Sequence, residues 1–287
     1  GAGVFRPGNL TDETVVWEDW CDGMEETVHI NVHAPYGGRV KVLDMIGDLG
    51  GFAFTDVDRH CENSFDDAEG NRYITCLSCA WPDSDPEHIV VAARGNWTGR
   101  TKGGLIVSRD GAQTWTRLDM PMGLSPELDA LLGKISGVNT NAGWAAVSAD
   151  GKSYVWAVAE RIWLHARNVI ASHDAGKTFV RSRVLLADGT EAQGRMKPIA
   201  DRVLPHVFYG FGEAGQLYVS IDGGDTFRLL FHRVTKRFRL RLGGHAQINV
   251  HIGQQAVVSG QQLVEKENTV VIFAQKLHKI SFVQNVP

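Results

Sequence analysis

The chain has 287 residues, 43% of them hydrophobic and 22% charged, with a formal net charge of −4 at pH 7. That is the make-up of an ordinary globular protein holding one large all-β domain or two small ones, and no apolar run approaches the ~18 residues that span a bilayer. Charge is uneven: Arg233, Lys236, Arg237, Arg239, Arg241, Lys266, Lys276 and Lys279 face only Glu265 and Glu267, so residues 1–231 form an acidic body, which argues against a nucleic-acid or anionic-membrane partner.

The opening Gly1-Ala2-Gly3 has neither an initiator Met nor a charged-then-apolar leader, as expected of a processed or partial chain. Asn9-Leu-Thr11 and Asn96-Trp-Thr98 fit the glycosylation acceptor pattern. Trp17 and Trp20 precede Glu25 and Glu26, adjacent carboxylates of which a strand aims only one at a given face.

Next comes the stretch where chemistry is expected. Met45-Ile-Gly-Asp-Leu-Gly-Gly-Phe52 sets one carboxylate, Asp48, between Gly47 and the pair Gly50-Gly51. Glycine admits backbone angles that other residues resist, so an apolar run ending in Gly-Asp and followed by Gly-Gly reads as a strand end that turns sharply and holds a carboxylate at a mouth. The alternative is a simple turn-forming Asp. Asp56 and Asp58 flank Val57 and share one face; a solvated loop suits them better than calcium, which wants roughly six to eight oxygens.

Four cysteines follow: Cys21, Cys61, Cys76 and Cys79. Cys76-Leu-Ser-Cys79 has metal-type spacing, but the segment reads as a strand, in which residues three apart point to opposite faces, and no second such pair exists. Buried thiols or one disulfide are expected instead of zinc. The sequence carries no sign of another metal or of a cofactor.

Helical periodicity is confined to Ser125–Gly133, with a serine cap and Pro126 at the first position. Elsewhere short apolar or alternating runs, such as His88–Arg94 and Val203–Tyr209, are punctuated by Gly, Asp and Asn, the pattern of many short strands.

One template recurs three times: Ser-x-Asp-x-Gly-x-Thr-aromatic. It runs Ser108, Asp110, Thr114, Trp115, with Ala112 at the glycine position; then Ser172, Asp174, Gly176, Thr178, Phe179; then Ser220, Asp222, Gly224, Thr226, Phe227. Hydroxyls and carboxylate can bond backbone N–H groups across a tight turn, while the aromatic anchors the next strand in the core. This resembles the Asp-box (BNR repeat), a hairpin turn of β-propeller blades, and makes these residues structural staples. The intervals suit four-stranded blades of roughly 40–50 residues, the longer one allowing an inserted loop, so residues 1–231 would hold about five blades.

Several segments together resemble the second half of glycoside hydrolase family 74, the xyloglucanases and related endo-β-1,4-glucanases. They are Gly1–Phe5, Met24–Val28 with Ala34-Pro35, Gly47–Phe52, Ser148–Lys152 with Val155-Trp156, and Asp201–Val203 through Phe208–Gly210. The match is collinear to about residue 231. Residues 232–287, a basic β-rich ending, lie outside it, although Val257–Gly260, Thr269–Phe273 and Lys279–Val283 read as strands.

The resemblance implies a secreted polysaccharide-degrading enzyme built of two seven-bladed propellers facing each other across a cleft. Hydrolysis proceeds with inversion, and Asp48 falls on the general acid. Such an acid needs its pKa raised, by burial or by the partner carboxylate. The base belongs to an amino-terminal propeller that this chain does not carry, so the chain alone is expected to be inactive. Sugar platforms would come from Trp17, Trp20, Trp81 and Trp97, whereas Trp144, Trp156 and Trp163 sit in apolar strands and read as core.

Two other readings use the same blades. One is a non-catalytic propeller that binds glycan or protein, in the manner of sortilin-type receptors. The other is a sialidase-like hydrolase, which would need Arg94, Arg100, Arg161 and Arg202 to converge.

Overall fold

The structure, a computed structural model, describes residues 5–20, 27–61, 63–96, 100–135, 143–158, 168–192 and 196–231. Beyond these it describes only strand backbone, at 237–242, 246–251, 263–266, 269–272 and 281–283. Cys21, Glu25, Glu26, Trp97, Arg161, Trp163 and the expected strand Val257–Gly260 lie outside the described residues.

The fold is all-β, built as propeller blades. A hairpin of β1 (Phe5–Pro7) and β2 (Trp17–Asp19) comes first. The first blade is β3 (Val28–His33), β4 (Val42–Gly47), β5 (Gly50–Phe54) and β6 (Asn63–Ser64). The second is β7 (Thr75–Ala80), β8 (Ile89–Arg94), β9 (Gly104–Ser108) and β10 (Thr116–Arg117). Helix α1 (Pro126–Ile135) leads to the third: β11 (Trp144–Val147), β12 (Tyr154–Val158), β13 (Asn168–Ser172) and β14 (Val180–Arg181). In the fourth, β15 (Arg183–Leu185) runs parallel to the last strand of an antiparallel set, β16 (Met196–Ala200), β17 (Phe208–Gly212), β18 (Leu217–Ser220) and β19 (Thr226–Phe231). The basic ending contributes β20 (Arg237–Leu242), β21 (Ala246–His251), β22 (Leu263–Lys266), β23 (Thr269–Ile272) and β24 (Ser281–Val283).

Four blades are therefore described up to residue 231, not five. The long first interval of the repeat is filled by α1 and its flanks. Ser125 caps that helix, its Oγ accepting from Leu128 N at 3.2 Å, and Leu128 and Leu132 are buried.

The blades stack face to face, and period-2 alternation divides each strand between two interfaces. Ile89, Val91 and Ala93 pack toward the first blade, Val90 and Ala92 toward the third. Tyr154, Trp156 and Val158 pack back toward the second, Val155 and Ala157 on toward the fourth. A strand buried on both faces reads as a continuous apolar run, which is how these appear in the sequence. Trp156 is core as expected; Trp144 is half-buried, with the Lys197 ammonium 4.5 Å above its ring.

The three repeats fold into one turn. Ser Oγ accepts from the backbone N–H of Ala112, Gly176 or Gly224 at 2.8–2.9 Å, and donates to the Asp carboxylate at 2.7–2.8 Å. The Thr N–H donates to the same Asp at 2.9 Å in every copy. The Thr178 hydroxyl and N–H hold the Asp174 carboxyl down at about 2. Trp115, Phe179 and Phe227 are buried behind the turns. The glycine position has positive φ in all three copies, +62° for Ala112, +87° for Gly176 and +102° for Gly224. A Cβ on Gly224 would lie 2.4 Å from Val155 Cγ2 in the packed interface. Gly224→Ala is expected to cost about 2–3 kcal/mol, from strain plus overpacking; urea unfolding measures it, and a change below ~0.5 kcal/mol would contradict this account.

One strand expectation needs correcting. A bulge in β7 between Cys76 and Ser78 resets the alternation, so Cys76 pairs with Ala93 and Cys79 with Val91. Those partners share a face, and so do the two thiols, both against the core between the first two blades. Cys76 and Cys79 are free, and burial pushes both thiols far above their ordinary range.

His88 and Tyr154 tie the second blade to the third. The Tyr154 hydroxyl shares a hydrogen bond with His88 Nε2 at 2.5 Å and accepts from Arg109 Nη2 at 3.3 Å. Burial, helped by the Arg109 charge, lowers His88 to about 4. Because the folded value is depressed, its stabilising contribution is complete above the unfolded value of ~6.5 and is lost as pH falls from there toward 4. Stability is expected to drop over that window by on the order of 2–3 kcal/mol, and His88→Gln to flatten the drop in urea titrations at several pH values.

Candidate functional site

Asp48 sits where the sequence places it, at the turn between β4 and β5. Ile46 pairs with Gly50 and Met45 with Gly51, so Gly47, Asp48 and Leu49 make the turn. Asp48 is exposed and has φ +69°, a left-handed angle that Asp tolerates at a cost of about 1–2 kcal/mol. Gly50 has φ +77°, and its N–H donates to Ile74 O at 3.2 Å. A Cβ on Gly50 would lie 2.5 Å from Tyr73 O, and one on Gly51 would lie 2.5 Å from the Phe65 ring. These glycines let segment 73–75 and Phe65 close against the turn.

Two further residues stand with Asp48. Its N–H points at Thr75 Oγ1, 3.5 Å away, and Thr75 pairs across the strands with Arg94. Arg94 is buried at the end of β8, in electrostatic contact with Asp48. Burial lowers its pKa, and the negative Asp48 opposes that fall. Nothing in spacing pointed to Thr75, and Arg94 entered the sequence reading only as one of four candidate sialidase arginines.

On the neighbouring strand pair, His29 Nδ1 lies 2.9 Å from Asp44 Oδ1 and His29 Nε2 lies 2.8 Å from Thr27 Oγ1. His29 pairs with Ile46, two residues before Asp48. The loop before β7 is knotted around Asp67, which is buried and accepts from Glu69 N, Asn71 N, Asn71 Nδ2 and the Tyr73 hydroxyl at 2.7–3.0 Å. Burial opposes ionisation of Asp67, but the Asn71 and Tyr73 hydrogen bonds outweigh it and lower its pKa.

The other sequence candidates fall elsewhere. In an antiparallel meander successive turns alternate between the two ends of the blade. The repeat turns after β9, β13 and β18 therefore lie at the end opposite Asp48. So does the loop after β5, where Asp58 N–H donates to Asp56 Oδ1 at 3.0 Å and Arg59 Nε lies 3.6 Å from Asp56: the exposed loop expected, remote from Asp48.

Trp81 also lies at that far end, just beyond the last residue of β7. It is half-buried, edge-on to His33 at 5.6 Å, and the Arg202 guanidinium sits 5.3 Å from its ring centre. Arg202 also donates to Trp81 O at 2.9 Å and to both carboxylate oxygens of Asp83. Arg94 and Arg202 thus occupy opposite ends and do not converge. Trp17 and Trp20 lie on the β1–β2 hairpin, exposed by 59% and 51%, and Arg6 stacks 4.7 Å over the Trp20 ring.

Comparison with known proteins gives a consistent answer. No family model matches the chain. A xyloglucanase from Paenibacillus sp. is 26% identical over 233 residues, covering 79% of this chain and 20% of that enzyme. An oligoxyloglucan-reducing end-specific xyloglucanase from Emericella nidulans is 27% identical over 246 residues, covering 79% of this chain and 27% of that enzyme. The chain thus spans only a fifth to about a quarter of the curated relatives it matches. The crystal structure of the GH74 xyloglucanase from Xanthomonas campestris superposes with a TM-score of 0.55 at 24% identity, over 83% of this chain and 31% of that one, a likeness of fold. Over most of its length, this chain is related to the xyloglucanases of glycoside hydrolase family 74.

Proposed function

We propose that the chain is the acid-bearing half of a xyloglucanase-type glycoside hydrolase that cleaves β-1,4-glucan backbones with inversion. The observation that carries this reading is Asp48 itself: an exposed carboxylate at a strained, glycine-clamped turn, at the blade end away from the repeat turns. As general acid, Asp48 would protonate the departing glycosidic oxygen. A second carboxylate, on a facing amino-terminal propeller, would activate the attacking water from about 6.5–9.5 Å away.

The buried Arg94 and the Thr75 hydroxyl fix the Asp48 turn from below. The exposed Trp17 and Trp20, together with Trp97, are offered as stacking platforms for the apolar faces of sugar rings. We read the repeat turns as Asp-box staples without chemistry, and the enzyme as extracellular, acting on polysaccharide.

The test is hydrolysis of xyloglucan by the chain alone and by the chain joined to an amino-terminal family 74 propeller. Negligible hydrolysis in the first case and clear hydrolysis in the second, abolished by Asp48→Asn, is the expected pattern. Glycan binding without hydrolysis in either format, insensitive to Asp48→Asn, would instead make this a binding propeller.

A further inference from the structure

We infer that Asp67 and Tyr73 form a strap that positions the Asp48 turn, Asp67 acting through the Tyr73 hydroxyl on segment 73–75. The inference rests on the reading of Asp48 as the acid and adds the device that holds it.

Segment 73–75 supplies the surface on which the turn sits. Tyr73 O occupies the space a Cβ on Gly50 would need, Ile74 O accepts the Gly50 N–H at 3.2 Å, and Thr75 Oγ1 faces the Asp48 N–H. Three consecutive residues thus meet Gly50 and Asp48. Any slide of this segment along the blade carries the turn with it.

The segment is held to β8 by the Ile74 N–H bond to Arg94 O at 3.1 Å and the pairing of Thr75 with Arg94, and at its Tyr73 end by Asp67. The Tyr73 hydroxyl donates to Asp67 Oδ2 at 2.7 Å inside the core, and Asp67 in turn is gripped by Glu69 N, Asn71 N and Asn71 Nδ2. The loop is tied to the second blade as well, since Ala68 N donates to Trp115 O at 3.0 Å. Phe65 packs on Trp115 with ring centroids 4.8 Å apart and presses on Gly51 from the other side. The turn is thereby held between a hydrogen-bonded strap and an aromatic pair, both anchored to the repeat turn of the next blade. A buried carboxylate satisfied by four donors is rigid, and a catalytic group displaced by even an ångström loses much of its effect.

Two readouts test this on Tyr73→Phe, Asp67→Asn and the double variant, with Asp48→Asn alongside. In the full chain, amide hydrogen exchange at Gly50 is expected to rise about tenfold or more, with Gly224 unchanged. In the chain joined to an amino-terminal propeller, kcat for xyloglucan is expected to fall roughly tenfold to a hundredfold, with KM within about twofold. The double variant should lose no more than the worse single one.

Unchanged Gly50 exchange overturns the strap. Unchanged kcat in Tyr73→Phe and Asp67→Asn, where Asp48→Asn abolishes turnover, overturns its catalytic purpose and leaves the hydrolase reading intact. Turnover that survives Asp48→Asn, or a parent without turnover, overturns the hydrolase reading and that purpose together, while the exchange result still decides whether the strap exists.

Discussion

Asp48→Asn, in the chain joined to an amino-terminal propeller, is expected to lower kcat for xyloglucan by about 10²–10⁴-fold, the usual contribution of a general acid. Asn has the same shape but no proton to give the leaving oxygen, so KM should stay within a few-fold. The turn itself should survive. Asn accepts left-handed backbone angles as readily as Asp, and Asp48 needs φ +69°. Its carboxylate is exposed, so the fold loses little beyond the attraction to Arg94. A melting temperature within a few degrees of the parent, together with the collapse in turnover, would separate chemistry from folding. A variant that kept half its activity would remove Asp48 from the mechanism.

Gly50→Ala is expected to damage stability and turnover together. The added methyl meets Tyr73 O at 2.5 Å, and backbone cannot rotate aside as a side-chain tip can. The residue also holds φ +77°, where a side chain brings further strain. A cost of about 2–4 kcal/mol follows from strain and overpacking, or roughly 5–15 °C in melting temperature for a chain of this size. Any relaxation must move either the turn or segment 73–75, so the folded fraction should also lose turnover by at least about tenfold. Gly37, at a similar φ of +88° but with nothing within 4 Å of a Cβ, supplies the control: Gly37→Ala should cost only about 1 kcal/mol. Equal losses at both positions would show that backbone strain, not the close approach of Tyr73, dominates at Gly50.

Much of the fold was legible in the chain. Apolar runs broken by turn residues gave an all-β protein with one short helix at its capping serine, and the repeat located three equivalent hairpin turns. Local chemistry settles those features, because a serine, an aspartate and a threonine at fixed spacing can satisfy a turn's N–H groups with few outside partners. The thiols were misplaced for an equally local reason: one extra residue in β7 flips the alternation, and nothing in Tyr73–Trp81 announces a bulge. The blade count fell short because residues 5–20 form only the two-stranded β1–β2 hairpin, where even spacing implied a further blade.

The sequence by itself determined that Asp48 lies in a glycine-rich turn at a strand end, since Gly47, Gly50 and Gly51 permit little else. Only the tertiary structure decided which residues stand around it. Thr75, Arg94, Asp67 and Tyr73 come from other strands and loops, and Trp81 and Arg202 are carried to the far end of the blades. The physical reason is that blade stacking and strand register fix which end of the meander each side chain reaches. Both depend on cross-strand pairing between segments far apart in the chain, which no short stretch of residues encodes.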